Sequence, residues 1–337
     1  MTLIKGWGIA DIWSAGFAAQ DKRPIEPRER IWASELGKAP IEVYLKMKGI
    51  APSNEPNDRA KMKMEAGTVV EGVVKSVLKR AGILRGTQIE AKYQYENYPV
   101  VSGKPDFLAG GKIDLQAAYK YMAILSDISP SLERAALKTI EYLSEKYPDG
   151  LPEQLFEIKS IATFGMDAME ITKKPLKLHR LQLMHYIMSL GYEYGTLTYI
   201  CRDDYRMMEF CVEKTPEAIE EYHQAIAEIG KYIVKDEEPP KAPLITFDME
   251  LGKFSKNLNV EWSNYLTMLY DFKEPREYSE IYGRKATSWN GVLKRIHDGK
   301  DMTAKNLAYI EEMKEMGYDA NVLALQWRGI SSEEEEA

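Results

Sequence analysis

Val69, Val70, Val73, Val74, Val77 and Leu78 recur at the spacing of one helical face, within a segment whose other positions are polar or small. That period predicts a helix over 64–78. Glu71 falls on the border of its apolar arc, on the same side as Gly67 one turn earlier, so it is a carboxylate held near the core with room beside it. An earlier helix is predicted over 32–48, ended by Gly49. Alternation then takes over at 91–95, followed by Val100-Val101 and Phe107-Leu108, which predicts a pair of strands, antiparallel in the simplest pairing, with Asp106 at a bend made by Pro105. A helical stretch fills 114–151, its second helix opened by Ser129 as N-cap and Pro130 at the first helical position. Alternation returns at Gln154-Leu155-Phe156-Glu157-Ile158-Lys159. After it come a helix over 178–190, strands over 195–201 and 206–212, and a helix from Thr215-Pro216 to about residue 234. Glu237-Glu238-Pro239-Pro240 is the best linker, and the remainder is mostly helical, with a hairpin-like pair around Asp298-Gly299-Lys300-Asp301. No internal repeat is visible.

In the strand at 154–159, Leu155, Glu157 and Lys159 point to one face and Phe156 and Ile158 to the other, because strand side chains alternate. One acid and one base therefore share a face. Hard divalent cations take oxygen ligands, which Asp106 and Glu157 supply with Glu71, and a neighbouring lysine can orient an attacking water or stabilise charge on a phosphorane. These four residues read together as a metal-dependent phosphodiesterase site. In the helix over 178–190, Leu183, Met184, Ile187, Met188 and Leu190 fill one arc, and His179, Gln182, Tyr186 and Ser189 form a polar stripe opposite. Neutral amide and phenol donors on such a stripe could reach phosphate oxygens without demanding a particular base. The basic run Lys173-Lys174-Pro175-Leu176-Lys177-Leu178-His179-Arg180 lies just before it, which makes Lys177, His179 and Arg180 further phosphate-contact candidates. Ligation by the histidines is the lesser reading; a surface or packing role is the expectation for all four.

Composition narrows the class. The 337 residues suffice for a main domain plus an appended module. The domain expectation is a core over 1–236 with an N-terminal helical segment and a helical insertion at 115–151, an extension over 237–330, and an acidic tail over 331–337. No stretch approaches the ~18 apolar residues of a membrane span, and Met1-Thr2-Leu3-Ile4-Lys5-Gly6-Trp7 lacks a secretory apolar core, so a cytoplasmic, reducing compartment is the default. Cys201 and Cys211, the two cysteines, make neither a zinc site nor a disulfide framework and are expected to be buried small apolar residues. The net charge of −7 runs against the basic footprint of many nucleic-acid binders. Part of it comes from Glu333-Glu334-Glu335-Glu336, and metal-binding carboxylates also count as negative until loaded.

The ordered motifs Gly67-x-x-x-Glu71, Pro105-Asp106, Glu157-x-Lys159 and Gln182-x-x-x-Tyr186 resemble those of the PD-(D/E)xK nuclease superfamily. The resemblance is to its RecB-like branch, which includes bacterial recombination nucleases, phage exonucleases and CRISPR-adaptation nucleases, and it covers roughly 32–212. Two departures stand out. Glu71 occupies a helix position where many RecB-like members carry a metal-ligating histidine, which favours Mg²⁺ or Mn²⁺ over softer metals. Ala39, before Pro40, stands where iron–sulfur members place a first cluster cysteine, and no cysteine cluster follows, so the resemblance implies no iron–sulfur cluster.

The fold implied is α/β, restriction-endonuclease-like: a central mixed sheet carrying Asp106 and Glu157-Lys159, flanked by helices bearing Glu71 and Gln182/Tyr186, with the helical insertion projecting beside the Asp106/Glu157 face. The function implied is metal-dependent hydrolysis of DNA phosphodiester bonds, as an exonuclease in recombination, repair or phage DNA processing. Glu71, Asp106, Glu157 and the main-chain carbonyl of Ile158 would hold one or two Mg²⁺ or Mn²⁺ ions, Lys159 would position the nucleophile, and Gln182 and Tyr186 would orient the strand. Partners are then DNA, as single strands or duplex ends, and recombination or repair proteins, with no membrane. Two rivals stay open: a structure- or sequence-specific endonuclease of the same fold, for which symmetric cleavage requires a dimer, and a non-catalytic nucleic-acid-binding subunit. RNA is a third possible substrate class.

Overall fold

A computed structural model describes residues 25–126, 130–249 and 251–327. The N-terminal leader reading, the Ser129 cap and the acidic tail lie outside the described residues. Contacts divide the chain into two units: one from Met1–Ile50 and Pro56–Glu238, the other from Ala51–Glu55 and Pro239–Ala337. The units meet in the chain at Glu238–Pro239, and 51–55 belongs with the second unit.

The first unit is a five-stranded mixed sheet flanked by helices, the α/β architecture expected. A small sheet is built from β1 (Ile31–Trp32), β3 (Ala91–Tyr93) and β4 (Val101–Gly103), in the order β1-β4-β3. The central sheet runs β2-β5-β6-β7-β8, from β2 (Leu84–Thr87), β5 (Phe107–Gly111), β6 (Leu151–Ile161), β7 (Tyr194–Cys201) and β8 (Met207–Glu213). Only the β6–β7 pairing is parallel; the others are antiparallel. The two strands expected to pair around Pro105 thus belong to different sheets. The chain leaves the small sheet at Gly103 and enters the central one at Phe107, so Asp106 stands at the crossing.

The single helix expected over 32–48 is replaced by a 3₁₀ turn, Ala33–Glu35, and a shorter helix α1 (Pro40–Met47). Gly37 takes φ +84, with Leu178 against it, and Pro40 forces Ala39 into an extended conformation. The helix at 64–78 extends to α2 (Asp58–Arg80), capped by the Asn57 side chain, which accepts from Ala60 N at 2.9 Å. Its Val70, Val74 and Leu78 pack on Phe156 and Ile158 of β6. The insertion comprises α3 (Leu115–Ser126) and α4 (Pro130–Lys146), held together by Ala118, Met122, Ala136 and Ile140. On the other side of the sheet lie α5 (Thr163–Thr172), α6 (Lys177–Leu190) and α7 (Pro216–Lys235), around Leu155, Leu183, Leu197, Tyr199 and Tyr222. Thr215 caps α7 as predicted, accepting from Ala218 N at 3.2 Å.

The second unit holds an antiparallel hairpin, β9 (Ile245–Asp248) and β10 (Lys253–Lys256), two short helices α8 (Leu258–Glu261) and α9 (Leu266–Tyr270), the long α10 (Pro275–His297), α11 (Ala304–Glu315) and α12 (Ala320–Ala324). Its centre is Phe254, with Trp289 and Tyr318 edge-on at centroid separations of 5.0 and 5.1 Å. Among the described residues no helix is long and apolar enough to cross a membrane. Cys201 is buried as expected, but Cys211 is exposed, because β8 is an edge strand with one wet face.

Candidate active site

The site forms where β5 stops short. Phe107 pairs with Phe156 at the first register position of β5, so β6 continues past it with one edge bare from Glu157 onward. Asp106 takes the place of the missing strand: its Oδ2 accepts from Ile158 N at 2.8 Å. In an extended strand the N–H and C=O of one residue face the same edge, so the Ile158 carbonyl opens beside Asp106.

On the α6 face of β6, Lys159 Nζ donates to Glu157 Oε1 at 2.7 Å and to Gln182 Oε1 at 3.0 Å. Gln182 Nε2 donates to Glu157 Oε1 at 2.7 Å and to Tyr186 Oη at 3.0 Å. Glu157 is 2 % exposed, and its Oε2 is buried without a hydrogen-bond partner. Burial pushes this carboxyl up to about 7; Lys159 opposes the shift, and the charges of Asp106 and Glu71 add to it. Asp106 is also raised by burial, against the Ile158 N–H and Lys159. For Glu71 burial comes first, then the Asp106 charge, with Lys159 opposing.

Glu71 belongs to α2, across the sheet from Gln182, yet it reaches Asp106 because the sheet is open there. Both line a cavity of about 200 Å³ with Thr68, Lys75 and Gln88. Gly67, one turn before Glu71, brings α2 over β6: a Cβ built there would stand 3.9 Å from Ser160 Cβ. Among the described residues no three His, Cys, Asp or Glu side chains close around one point. The Ile158 N–H holds one oxygen of Asp106, and Lys159 holds one oxygen of Glu157.

The polar stripe on α6 is not a wet face. Residues 181–187 are all buried, Gln182 at 7 % exposed and Tyr186 at 2 %, because α6 packs against both the central sheet and the small one. Gln182 thus meets the acid and the base rather than solvent. Tyr186 lies beneath Gly103, where an added Cβ would fall 2.8 Å from its ring, and it borders a second cavity of about 330 Å³ with Arg30, Trp32, Ser34, Gln88 and Lys104. Gln88 is common to both cavities.

Three members of the basic run have partners within the chain. Arg180 and Lys177 both pair with Glu221 of α7, at 2.8 and 3.6 Å. His179 Nδ1 lies 2.9 Å from Tyr199 Oη, and burial with the nearby Lys159 holds the imidazole down at about 3. His185 is fully buried against Tyr222 Oη at 2.9 Å, the packing role expected of it. Lys75, Gln88, Arg30 and Lys104 were not singled out from the sequence. Lys75 follows Glu71 by one helical turn, and that spacing was the available signal.

No protein-family model matches the chain, and no curated protein matches it. Among solved structures, similarity is found to the crystal structure of SSO0001, at 16% identity and TM-score 0.36, covering 66% of this chain and 86% of that one. It is found also to an alkaline exonuclease, LHK-Exo, from Laribacter hongkongensis, at 13% identity and TM-score 0.34, over 67% of this chain and 97% of that one. LHK-Exo in complex with dAMP gives 14% identity and TM-score 0.36, over 61% and 86%.

Proposed function

We propose that the chain is a metal-dependent nuclease that hydrolyses DNA phosphodiester bonds, acting as an exonuclease in recombination, repair or phage DNA processing. The observation that carries this reading is the open edge of β6. There a buried acid with an unpartnered oxygen and a lysine lie beside a second carboxylate held by Ile158 N. The donor set is all oxygen, which suits Mg²⁺ or Mn²⁺. Glu157 Oε2, Asp106, Glu71 and the Ile158 carbonyl are the groups that would hold the ion. Such an ion, when bound, supplies Lewis acidity and a lowered water pKa.

The chain's own residues do the rest. Gln182 fixes Glu157 and Lys159 relative to each other, with Tyr186 fixing Gln182 in turn. Lys159 Nζ presents a donor at the bare edge, where it can orient a water or meet charge developing on a phosphoryl oxygen. Asp106, held by Ile158 N, keeps its second oxygen directed to the cleft it shares with Glu71. Arg30 and Lys104 place cationic groups on the adjoining cavity, suited to a phosphate next to the scissile one.

Digestion of end-labelled single- and double-stranded DNA with Mg²⁺ or Mn²⁺, beside a Lys159→Ala control, tests the reading. Metal-dependent release of nucleotides from ends is the outcome that supports it. Equal rates on linear and covalently closed circular single strands would move the endonuclease reading to first place. No hydrolysis under any metal would leave only a binding function.

A further inference from the structure

Glu71, Lys75 and Lys79 stand on successive turns of α2, about 6 Å apart along its axis. Lys75 lines the cavity that holds Glu71 and Asp106. Lys79 lines a separate one, of about 310 Å³, together with Arg85, Asp114, Lys120, Tyr121 and Ile124, between the end of α2, β2 and the start of α3. The insertion is fastened to α2 at this place: Tyr121 Oη donates to Ser76 Oγ at 3.2 Å, and Lys79 Nζ lies 5.3 Å from the centroid of the Tyr121 ring.

The polar groups of this second cavity divide into spent and unspent. Arg85 is committed to the carbonyls of Lys112 and Gly82. Asp114 Oδ1 accepts from Ala117 N at 2.9 Å, capping α3. Among the described residues Lys75, Lys79 and Lys120 have no carboxylate in ion-pair contact, whereas Arg206 pairs with Asp167, Glu170 and Asp204, and Lys177 and Arg180 share Glu221. Three unpaired cations on one path from an acidic cleft, in a chain of net charge −7, favour an anionic ligand that runs the length of that path.

We propose that this side of α2, with Lys120 of α3, is a track for the sugar-phosphate backbone of a single polynucleotide strand, leading from the carboxylates to the cavity beneath the insertion. The proposal rests on the nuclease reading for its starting point. Lys75 meets the phosphate nearest the cleft, and Lys79 and Lys120 clasp one farther on. The half-buried Tyr121 and the apolar Ile124 face the sugar. A cavity of about 310 Å³ matches one nucleotide unit, which favours a single strand as the occupant of the track. The insertion is then a substrate-binding element, and its place in the chain between Asp106 and Glu157 is what puts it beside the cleft.

Fluorescence anisotropy in the presence of chelator tests this, with labelled deoxyribo- and ribo-oligomers of about 12 nucleotides, a length within single-strand site sizes. The Lys79→Ala/Lys120→Ala variant should bind about tenfold more weakly at low salt, and the slope of log affinity against log salt should fall by about 1.4, or ~0.7 for each lost contact. Lys79→Arg/Lys120→Arg should keep the slope. Lys61→Ala/Lys63→Ala, an equal charge change at the other end of α2, should leave both quantities in place. Loss with one sugar type alone assigns the track to DNA or to RNA. Unchanged affinity and slope in the Lys79/Lys120 variant, an equal loss in the Lys61/Lys63 variant, or no binding by the unaltered chain overturns the proposal. Binding is read without metal, so a chain that binds through the track and hydrolyses nothing defeats the nuclease reading alone. A chain that hydrolyses DNA with an unchanged slope in the variant defeats the track alone.

Discussion

Asn290 in the second unit and Gln182 in the first are both amides set against a strand, and they are used in opposite ways. Asn290 accepts from Phe254 N at 2.7 Å and donates to Phe254 O at 2.9 Å, so it completes the backbone pairing of β10 as a further strand would. Around it the aromatic cluster of Phe254, Trp289 and Tyr318 supplies apolar packing. Gln182 instead ties together an acid and a base and leaves Glu157 Oε2 buried without a partner. The second unit uses its amide to close a core, and the first uses its amide to keep a charged site in a fixed arrangement that is costly on its own.

The sharpest way to break this comparison is to remove the chemistry. Lys159→Ala should lower metal-dependent DNA hydrolysis by about a thousandfold or more, ~4 kcal/mol in barrier, while circular dichroism stays unchanged; residual activity within tenfold would return Lys159 to a structural role. Next in size is Trp289→Ala, expected to cost about 3–4 kcal/mol through cavity formation. Denaturant unfolding followed by a probe in each unit should show that loss in the second unit, and equal losses in both would mean that they unfold as one.

The buried acid gives a test with a pH signature. Glu157 holds its proton up to about 7 when folded and releases it near 4.5 when unfolded. Between those values the folded state binds more protons, so its stability falls as pH rises through that window, and the full penalty is present above it. Glu157→Gln should therefore stabilise the metal-free protein at pH above the window by on the order of 1–3 kcal/mol, with the gain vanishing toward the acid end. A gain independent of pH would assign the effect to packing instead. Smallest is Asn290→Ala, expected to cost about 1–2 kcal/mol by leaving the Phe254 N–H and C=O without their partner; a loss below ~0.5 kcal/mol would mean that water replaces the amide.

Much of the first unit could be read from periodicity. The strands at 195–201 and 206–212 and the helix opened by Thr215-Pro216 appear within a residue of their expected places, and the helix carrying Glu71 is present but begins six residues before the expected start. Misses fall where an element is too short for a period to declare itself. Leu84–Thr87, Ile245–Asp248 and Lys253–Lys256 are each strands of four residues, recognisable only by what they pair with. The helix expected over 32–48 failed through local backbone preference, at Gly37 and Pro40, which a reading of apolar spacing passes over. The α6 stripe failed for another reason: polar residues opposite an apolar arc look solvated, but a helix packed on both sides buries them too.

Sequence alone determined which groups are available and which way each faces locally. Glu157 and Lys159 share a face because strand side chains alternate, and Glu71 borders an apolar arc because the helix repeats every 3.6 residues. Those are properties of the backbone over a few residues. Only the tertiary structure decided which groups come together, Glu157 with Lys159 and Glu71 with Asp106. The early end of β5 bares the edge of β6 for Asp106, the small sheet turns Gln182 and Tyr186 inward, and the resulting burial lifts Glu157 out of the ordinary carboxylate range. Burial and strand termination depend on segments distant in the chain, so no local pattern could carry them.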